Sequence, residues 1–214
     1  MSEKEELEKE DTSKEGLTYK KVLLEIWSWV YSIGIAVIVV LLIKNLLFST
    51  TIVKKESMYP TLKENNMLLI NRLNQVRGVS LKKGDIVVFE APQAVAGDNI
   101  AYYPDDSALD KFVKLFVKTL YVKRVIAVAG DQITIDDGVV YINGEAQEES
   151  YVNPDNARNG SGISLVVPEG YIFCMGDNRG SSYDSRNFGL VPVDKVEGSA
   201  NFRVFPFSNF GTVD

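Results

Sequence analysis

An apolar run near the amino terminus sets the first constraint on this chain. Val30 to Phe48 is interrupted only by Ser32, Gly34, Lys44 and Asn45. As a helix it spans about 28 Å, close to the hydrocarbon thickness of a bilayer. Trp27, Trp29 and Tyr31 stand at one end of it, where an aromatic belt belongs. Lys44 lies about one turn from the other end and can snorkel to the interface. A cleaved signal peptide is the competing reading, but the segment before the run is long and acidic, and no small-x-small site follows Ile43. A buried core helix is the remaining alternative. The reading adopted is a single-pass membrane anchor over 22–48, in contact with the lipid bilayer. Before it lies a polar, low-complexity tail at 1–21 that reads as disordered. Lys14, Lys20 and Lys21 flank one side, and Lys44, Lys54 and Lys55 the other, so the lysines do not set the orientation.

The chain has 214 residues, 45% of them hydrophobic, enough for one large or two small domains with a real core. A net charge of −6 and the lack of a basic stripe argue against a nucleic-acid partner. Cys174 is the single cysteine, which rules out an internal disulfide framework. It lies in the apolar run Tyr171–Met175 and reads as a buried small hydrophobe. There is no histidine, so no Cys/His cluster for a zinc site of the usual kind. No metal and no other cofactor is expected.

From residue 49 to 214 the sequence is β-rich. A β-branched run, Thr50-Thr51-Ile52-Val53, opens it, and short apolar or alternating runs recur at 67–70, 85–89, 122–128, 132–135, 139–142, 164–167, 171–175 and 200–204. Turn signals separate them, and Asn143-Gly144 is a hairpin signal of the primed-turn kind. Many short strands with little helix predict an all-β domain, a barrel or sandwich of antiparallel sheets, preceded by the one transmembrane α-helix. Residues 91–110 depart from the pattern and lead into Lys111–Leu120. There Phe112, Leu115, Phe116 and Leu120 fall at helical spacing, with Lys111, Lys114 and Lys118 opposite. Ser107 and Asp110 have capping-box spacing. A short amphipathic helix over 107–120 is predicted, with a strand continuing into Val122 as the alternative.

The chemistry centres on Glu56-Ser57-Met58-Tyr59-Pro60-Thr61-Leu62. Pro60 fixes its own φ and pushes Tyr59 towards extended geometry, which makes a stiff corner able to present one hydroxyl. Taken alone, a serine before a proline turn is more often a plain turn residue. If Ser57 is a nucleophile, however, the lack of histidine excludes an imidazole base, and the common remaining base is a lysine held neutral by burial. Most lysines here lie among charged or turn residues. Lys123 differs, because a strand period of two puts Tyr121, Lys123, Val125, Ala127 and Ala129 on one face, where it is the only charge. The alternative is a lysine at a strand end that snorkels to water, and by itself the pattern favours that alternative. Ser80-Leu81-Lys82-Lys83 also matches a Ser-x-x-Lys pattern, but it sits in a polar turn and its partner motifs are missing.

A third stretch, Met175 to Gly189, alternates acids, arginines and hydroxyls after a buried strand. It suits a fixed hydrogen-bonded network in which Asp184 and Arg186 pair.

Four ordered blocks now carry a resemblance: Ser57–Leu62, Gly84–Phe89, Tyr121–Val125, and Gly176–Arg179 through Asp184–Arg186. From the anchor to residue 204 the chain resembles the bacterial type I signal (leader) peptidases, and its single anchor and compact domain look more like the Gram-positive members. The resemblance implies a membrane-bound serine endopeptidase that removes N-terminal signal peptides from secreted preproteins, cutting after small residues. It implies a single-pass protein of the cell membrane, with an all-β peptidase domain at 49–214 on the extracytoplasmic side. Carried over, Ser57 matches the nucleophile, Lys123 the general base and Ser182 the hydroxyl that orients the lysine. Asp184 and Arg186 match a structural pair beside the site, and Val53, Met58, Leu62, Tyr121 and Val122 match the lining of the substrate cleft. Three departures stand out. Lys55 occupies a position where some members carry a hydroxyl donor to the oxyanion, the block Arg179–Tyr183 is looser than usual, and 91–120 reads as an insertion. Two rival readings fit the sequence less well. Self-cleaving serine–lysine repressors carry a helix-turn-helix domain in place of the acidic tail and apolar span. An inactive membrane-anchored β module of the same fold, used in assembly or binding, would not need both Ser57 and Lys123.

Overall fold

The computed structural model describes residues 21–40, 47–72, 81–95, 99–103, 119–157, 160 and 162–213. The chain divides into two units, Met1–Leu46 and Leu47–Asp214. In the first, a helix runs over Lys21–Val40, long and apolar enough to cross a membrane and with none of its apolar window buried. It begins well before Val30, so Trp27, Trp29 and Tyr31 lie within the helix and not at its end. Residues 1–20 of the polar tail and Lys44 lie outside the described residues, and Lys21, assigned above to the tail, begins the helix. Phe48, read above as the last residue of the anchor, is the first residue of a strand.

The second unit is built from short antiparallel strands. They are β1 (Phe48–Ile52), β2 (Met67–Asn71), β3 (Ile86–Glu90), β4 (Ala94–Val95), β5 (Ala101–Tyr102), β6 (Leu120–Val128), β7 (Gln132–Asp136), β8 (Val139–Ile142), β9 (Glu145–Ala146), β10 (Ile163–Val166), β11 (Tyr171–Met175), β12 (Val191–Pro192), β13 (Val196–Phe205) and β14 (Gly211–Thr212). The large sheet has the order β1-β2-β13-β3-β6-β11-β12, with β14 on β13, and a smaller sheet has the order β10-β7-β8-β9. This is the expected all-β, sandwich-like domain of antiparallel sheets. The Asn143-Gly144 signal holds for a physical reason: both residues have positive φ, 54° and 85°, as a primed turn between β8 and β9 requires. The amphipathic helix predicted over 107–120 lies outside the described residues, except that Leu120 starts β6.

The strand that matters for the site is β6, paired between β3 and β11. Its neighbours show why it is buried on both faces. Along β3, Ile86 and Val88 pack into one cluster and Val87 and Phe89 into another. Along β11, Ile172 and Cys174 join the second of these, while Phe173 and Met175 join a third, which lines the smaller sheet. Period-two alternation also holds along β6 through Val125, with Tyr121 and Val125 on the Val87–Phe89 side. It then breaks. Phe173 pairs with Ala127 but Cys174 pairs with Val125, so Ile126 is an extra residue on β6 and forms a bulge. Ala127 crosses to the cluster with Ile126 and Phe173, and Ala129 lies beyond the strand. The single face predicted from Tyr121 to Ala129 therefore ends at Val125. Lys123 lies within the part that holds.

Candidate active site

Ser57 sits in a one-turn 3₁₀ helix, Glu56–Met58, directly after β1. Lys55 before it is extended (φ −136°, ψ 157°) and Tyr59 after it is extended as Pro60 demands (φ −68°, ψ 139°). The Tyr59 N–H donates to the Glu56 carbonyl, and the Leu62 N–H to the Met58 carbonyl. Met58 and Leu62 are fully buried and hold the turn to the core, while Ser57 between them stays half-buried.

Lys123 reaches the same place from β6. Only 4% of it is exposed, its register partner on β3 is Val87, and its Nζ lies 2.8 Å from Ser57 Oγ. The amine does not snorkel to water. It lies 5.5 Å from the centre of the Tyr121 ring, which packs edge-on with Phe89 at 6.2 Å and tilted against Phe188 at 6.3 Å. Burial pushes the lysine down from its ordinary 10.5 to about 8. Asp184 opposes that fall, and the positive charges of Lys55 and Arg186 add to it. The Asp184 carboxylate is itself engaged by other donors. Arg186 donates Nε to one oxygen and Nη2 to the other, each at 2.8 Å, and the Gly176 N–H donates at 3.0 Å. The ion pair read from the sequence is thus present, and Asp184 also caps a one-turn helix, Ser185–Phe188, in what read as loop. Cys174 is fully buried, and burial pushes its thiol well up, so it stays neutral.

The polar stretch after β11 ties these parts together. The Asn178 N–H donates to the Ser57 carbonyl at 3.0 Å and its side-chain amide to the Glu56 carbonyl at 3.0 Å. Asp177, with no exposure, receives Nε and Nη2 of Arg124, the residue after Lys123, and the Thr61 hydroxyl. Two residues of the serine turn, Thr61 after it and Arg124 beside the lysine are therefore fixed by neighbouring positions of a single loop. Gly176 is the close-approach point. A Cβ there would stand 2.3 Å from Ser182 Oγ and 2.3 Å from the Ser57 carbonyl oxygen.

The sequence-predicted residues separate into groups. Ser57 and Lys123 meet, and Asp184 and Arg186 meet next to them. Ser182 Oγ is buried at Gly176, without a hydrogen-bond partner among the described residues, so no bond from it to Lys123 is seen. Val53, Met58 and Leu62 belong to one buried cluster, with Val122 packed against it and partly exposed, and Tyr121 is partly exposed on the opposite side of the sheet. Lys55 is exposed. Sequence reasoning missed the partners Arg124–Asp177 and Arg179–Glu149 and the role of Thr61. These contacts span 53, 30 and 116 positions of chain, and no local pattern signals them. Among the described residues, no group of His, Cys, Asp and Glu is arranged to hold a metal ion.

A membrane-spanning helix before an antiparallel β domain, with a buried lysine on a serine hydroxyl, defines the class of protein. The chain belongs to the signal peptidase family, peptidase S26, whose model matches residues 26–205. It is 33% identical over 207 residues to signal peptidase IB of Staphylococcus aureus (strain Mu50), a match covering 89% of this chain and 94% of that one. It is also 33% identical over 196 residues to signal peptidase I of Bacillus caldolyticus, covering 86% of this chain and 92% of that one. A crystallised signal peptidase I from Enterococcus faecalis V583 matches with 27% identity and a TM-score of 0.39, covering 56% of this chain and 96% of that one. The chain is thus a membrane-anchored member of a peptidase family, of the kind found in Gram-positive bacteria.

Two outcomes follow from the geometry. Gly176→Ala has no room for its methyl group without displacing Ser182 or the Ser57 backbone. Because a 1 Å misplacement can cost about 10²-fold in rate, cleavage of a secretory precursor by this variant is expected to fall by that order. Wild-type cleavage would show that the close approach does not matter. Lys123→Met should raise the melting temperature at neutral pH. The folded state disfavours the ammonium, so the penalty is full below about pH 8, shrinks as the pH rises towards 10.5 and is gone above it. Thermal unfolding across pH measures this, and a gain that grows with pH would contradict it.

Proposed function

We propose that this chain is a membrane-bound serine endopeptidase that removes N-terminal signal peptides from secreted preproteins, using Ser57 and Lys123 as a catalytic dyad. The observation that carries the reading is the 2.8 Å contact between Lys123 Nζ and Ser57 Oγ at a buried site that lowers the lysine's proton affinity. Neutral Lys123 takes the hydroxyl proton as Ser57 Oγ attacks the scissile carbonyl. The resulting oxyanion is held by the Ser57 N–H, which lies in the first turn of its short helix, where backbone N–H groups lack an intrahelical partner. The C–N bond breaks, and protonated Lys123 gives its proton to the leaving amine. Water then attacks the acyl-enzyme, Lys123 again accepting a proton, and Ser57 is regenerated as the carboxylate product leaves.

Ser182 serves in this scheme to orient the lysine, and Asp184 with Arg186 holds the loop around it. Cutting after small residues would be set by the residues that match the family's cleft, of which Val122 packs with Val53, Met58 and Leu62 on one face of the sheet and Tyr121 lies on the other. The organisation that goes with this function is a tail at 1–21, an anchor at 22–48 and a peptidase domain at 49–214 with an insertion at 91–120. The domain then faces the extracytoplasmic side, where the mature part of an exported chain emerges.

Incubation with a secretory precursor in detergent tests the reading. Ser57→Ala and Lys123→Ala are each expected to lose cleavage by roughly 10²–10⁴-fold, with the fold retained by circular dichroism. Lys123→Arg should be equally inactive, because arginine keeps the charge but cannot give up its proton. Activity restored by arginine would make Lys123 a cation and not a base.

The pH dependence has a definite sign. Only the neutral amine is active, so kcat/KM should rise through a midpoint near the value of about 8 for Lys123 and level off above it. A rate still climbing steeply beyond the ordinary lysine value of 10.5 would show that the base is not desolvated.

A further inference from the structure

Arg179 is the largest fully buried side chain in the described structure. Its guanidinium donates Nη1 and Nη2 to the two oxygens of Glu149 at 2.8 and 2.6 Å, and Nε to the Gly176 carbonyl at 3.2 Å. Glu149 follows β9 at the edge of the smaller sheet and is itself 11% exposed. The Tyr151 hydroxyl donates to the same carboxylate at 2.8 Å, and the Tyr151 ring lies 4.1 Å from the guanidinium carbon of Arg124. Two residues on, the Asn153 N–H donates to the Asp177 carbonyl at 2.9 Å and its amide to the Asn178 side chain at 3.2 Å. The segment 149–153 thus touches the polar loop on the far side from Ser57.

We propose that Glu149 is a positioning residue for peptide cleavage, acting through Arg179 to fix Gly176 and with it the turn that carries Ser57. The proposal rests on the Ser57–Lys123 reading. Its physical basis is the lack of slack at Gly176. That residue's N–H is bound to Asp184, its carbonyl to Arg179, and there is no space for a Cβ between it and Ser182 Oγ and the Ser57 carbonyl. Arg179 can hold its place only while a carboxylate matches its charge, since an unmatched buried cation is costly. Without that match the guanidinium moves towards water and takes the Gly176 carbonyl with it. The next bond along, from Asn178 N–H to Ser57 O, carries the displacement to the nucleophile. Glu149 touches neither Ser57 nor Lys123 in any hydrogen bond described, so its effect belongs to alignment of the dyad.

The test uses the full chain in detergent with a purified secretory precursor, measuring kcat, KM and thermal unfolding for Glu149→Gln, Tyr151→Phe and Ser57→Ala. Glu149→Gln is expected to lower kcat by about 10- to 100-fold, with KM within about two-fold of wild type, at a temperature well below its unfolding transition. Tyr151→Phe removes one hydrogen bond to the same carboxylate and is expected to lower kcat by a few-fold. A folded Glu149→Gln with wild-type kcat overturns the proposal, as does a rate that falls only in step with the folded fraction. Should Glu149→Gln not fold, Tyr151→Phe decides, and wild-type kcat in it overturns the proposal. Ser57→Ala separates the two levels. If it stays active, the dyad reading fails. If it is inactive while both other variants match wild type, only the positioning role fails.

Discussion

An amine held out of water beside a hydroxyl is the constraint on which the rest of the domain depends. A cationic Lys123 in the interior is costly without a counter-charge, and a counter-charge held against it would raise its proton affinity. The structure buries the amine among Val87, Tyr121 and Val125 and engages the Asp184 carboxylate with other donors. Asp184 is close enough to favour the ammonium, yet Arg186 and the Gly176 N–H already satisfy it. What remains in contact with Nζ is Ser57 Oγ, a partner that can take or give a proton.

The three arginines around the site follow one pattern. Arg124 grips Asp177, Arg179 grips Glu149, and Arg186 grips Asp184, each with two guanidinium nitrogens. Forked pairs of this kind fix direction as well as distance, which a lysine in the same position would not do. Each pair balances its own charge, although Asp184 and Arg186 still act on Lys123 in opposite directions. Buried ion pairs of this sort are weak contributors to stability when compared with well-packed apolar residues. Each pair has at least one partner between Asp177 and Arg186, the stretch whose Asn178 N–H binds the Ser57 carbonyl, and that placement is better accounted for by geometry than by stability.

How much of this was legible in the sequence depends on the range of the interaction. Strand periodicity found β2, β7 and β8 almost to the residue, because each buries alternate positions, and β11 was readable as a continuous apolar run buried on both faces. The primed turn at Asn143-Gly144 was readable because few residue pairs accept positive φ twice. The corner at Ser57 was readable because Pro60 restricts Tyr59. The bulge at Ile126 was not, since nothing in Val125-Ile126-Ala127-Val128 breaks alternation until β11 is laid beside it. Glu149 reads as one more acid in a polar run, and only the fold brings it to Arg179. Lys123 stands between these cases. Its apolar neighbours were visible, but the pattern alone favoured a lysine reaching water. The decisive fact, a hydroxyl 66 positions away, belongs to tertiary structure.

Stability and chemistry pull against each other at this site, and the direction of the pull can be argued residue by residue. Replacing Lys123 by an apolar side chain of similar length removes a desolvated amine and leaves the β6 face uniformly apolar. Filling the contact at Gly176 has the opposite sign, because it forces apart backbone segments that already touch. Replacing both partners of Arg179–Glu149 by apolar groups could leave stability unchanged, yet the Gly176 carbonyl would lose its only guanidinium donor among the described residues. A fold selected for stability alone would therefore discard the lysine first, then the ion pairs, and keep the glycine. This one keeps all three, and the property they share is the fixed distance between Lys123 Nζ and Ser57 Oγ.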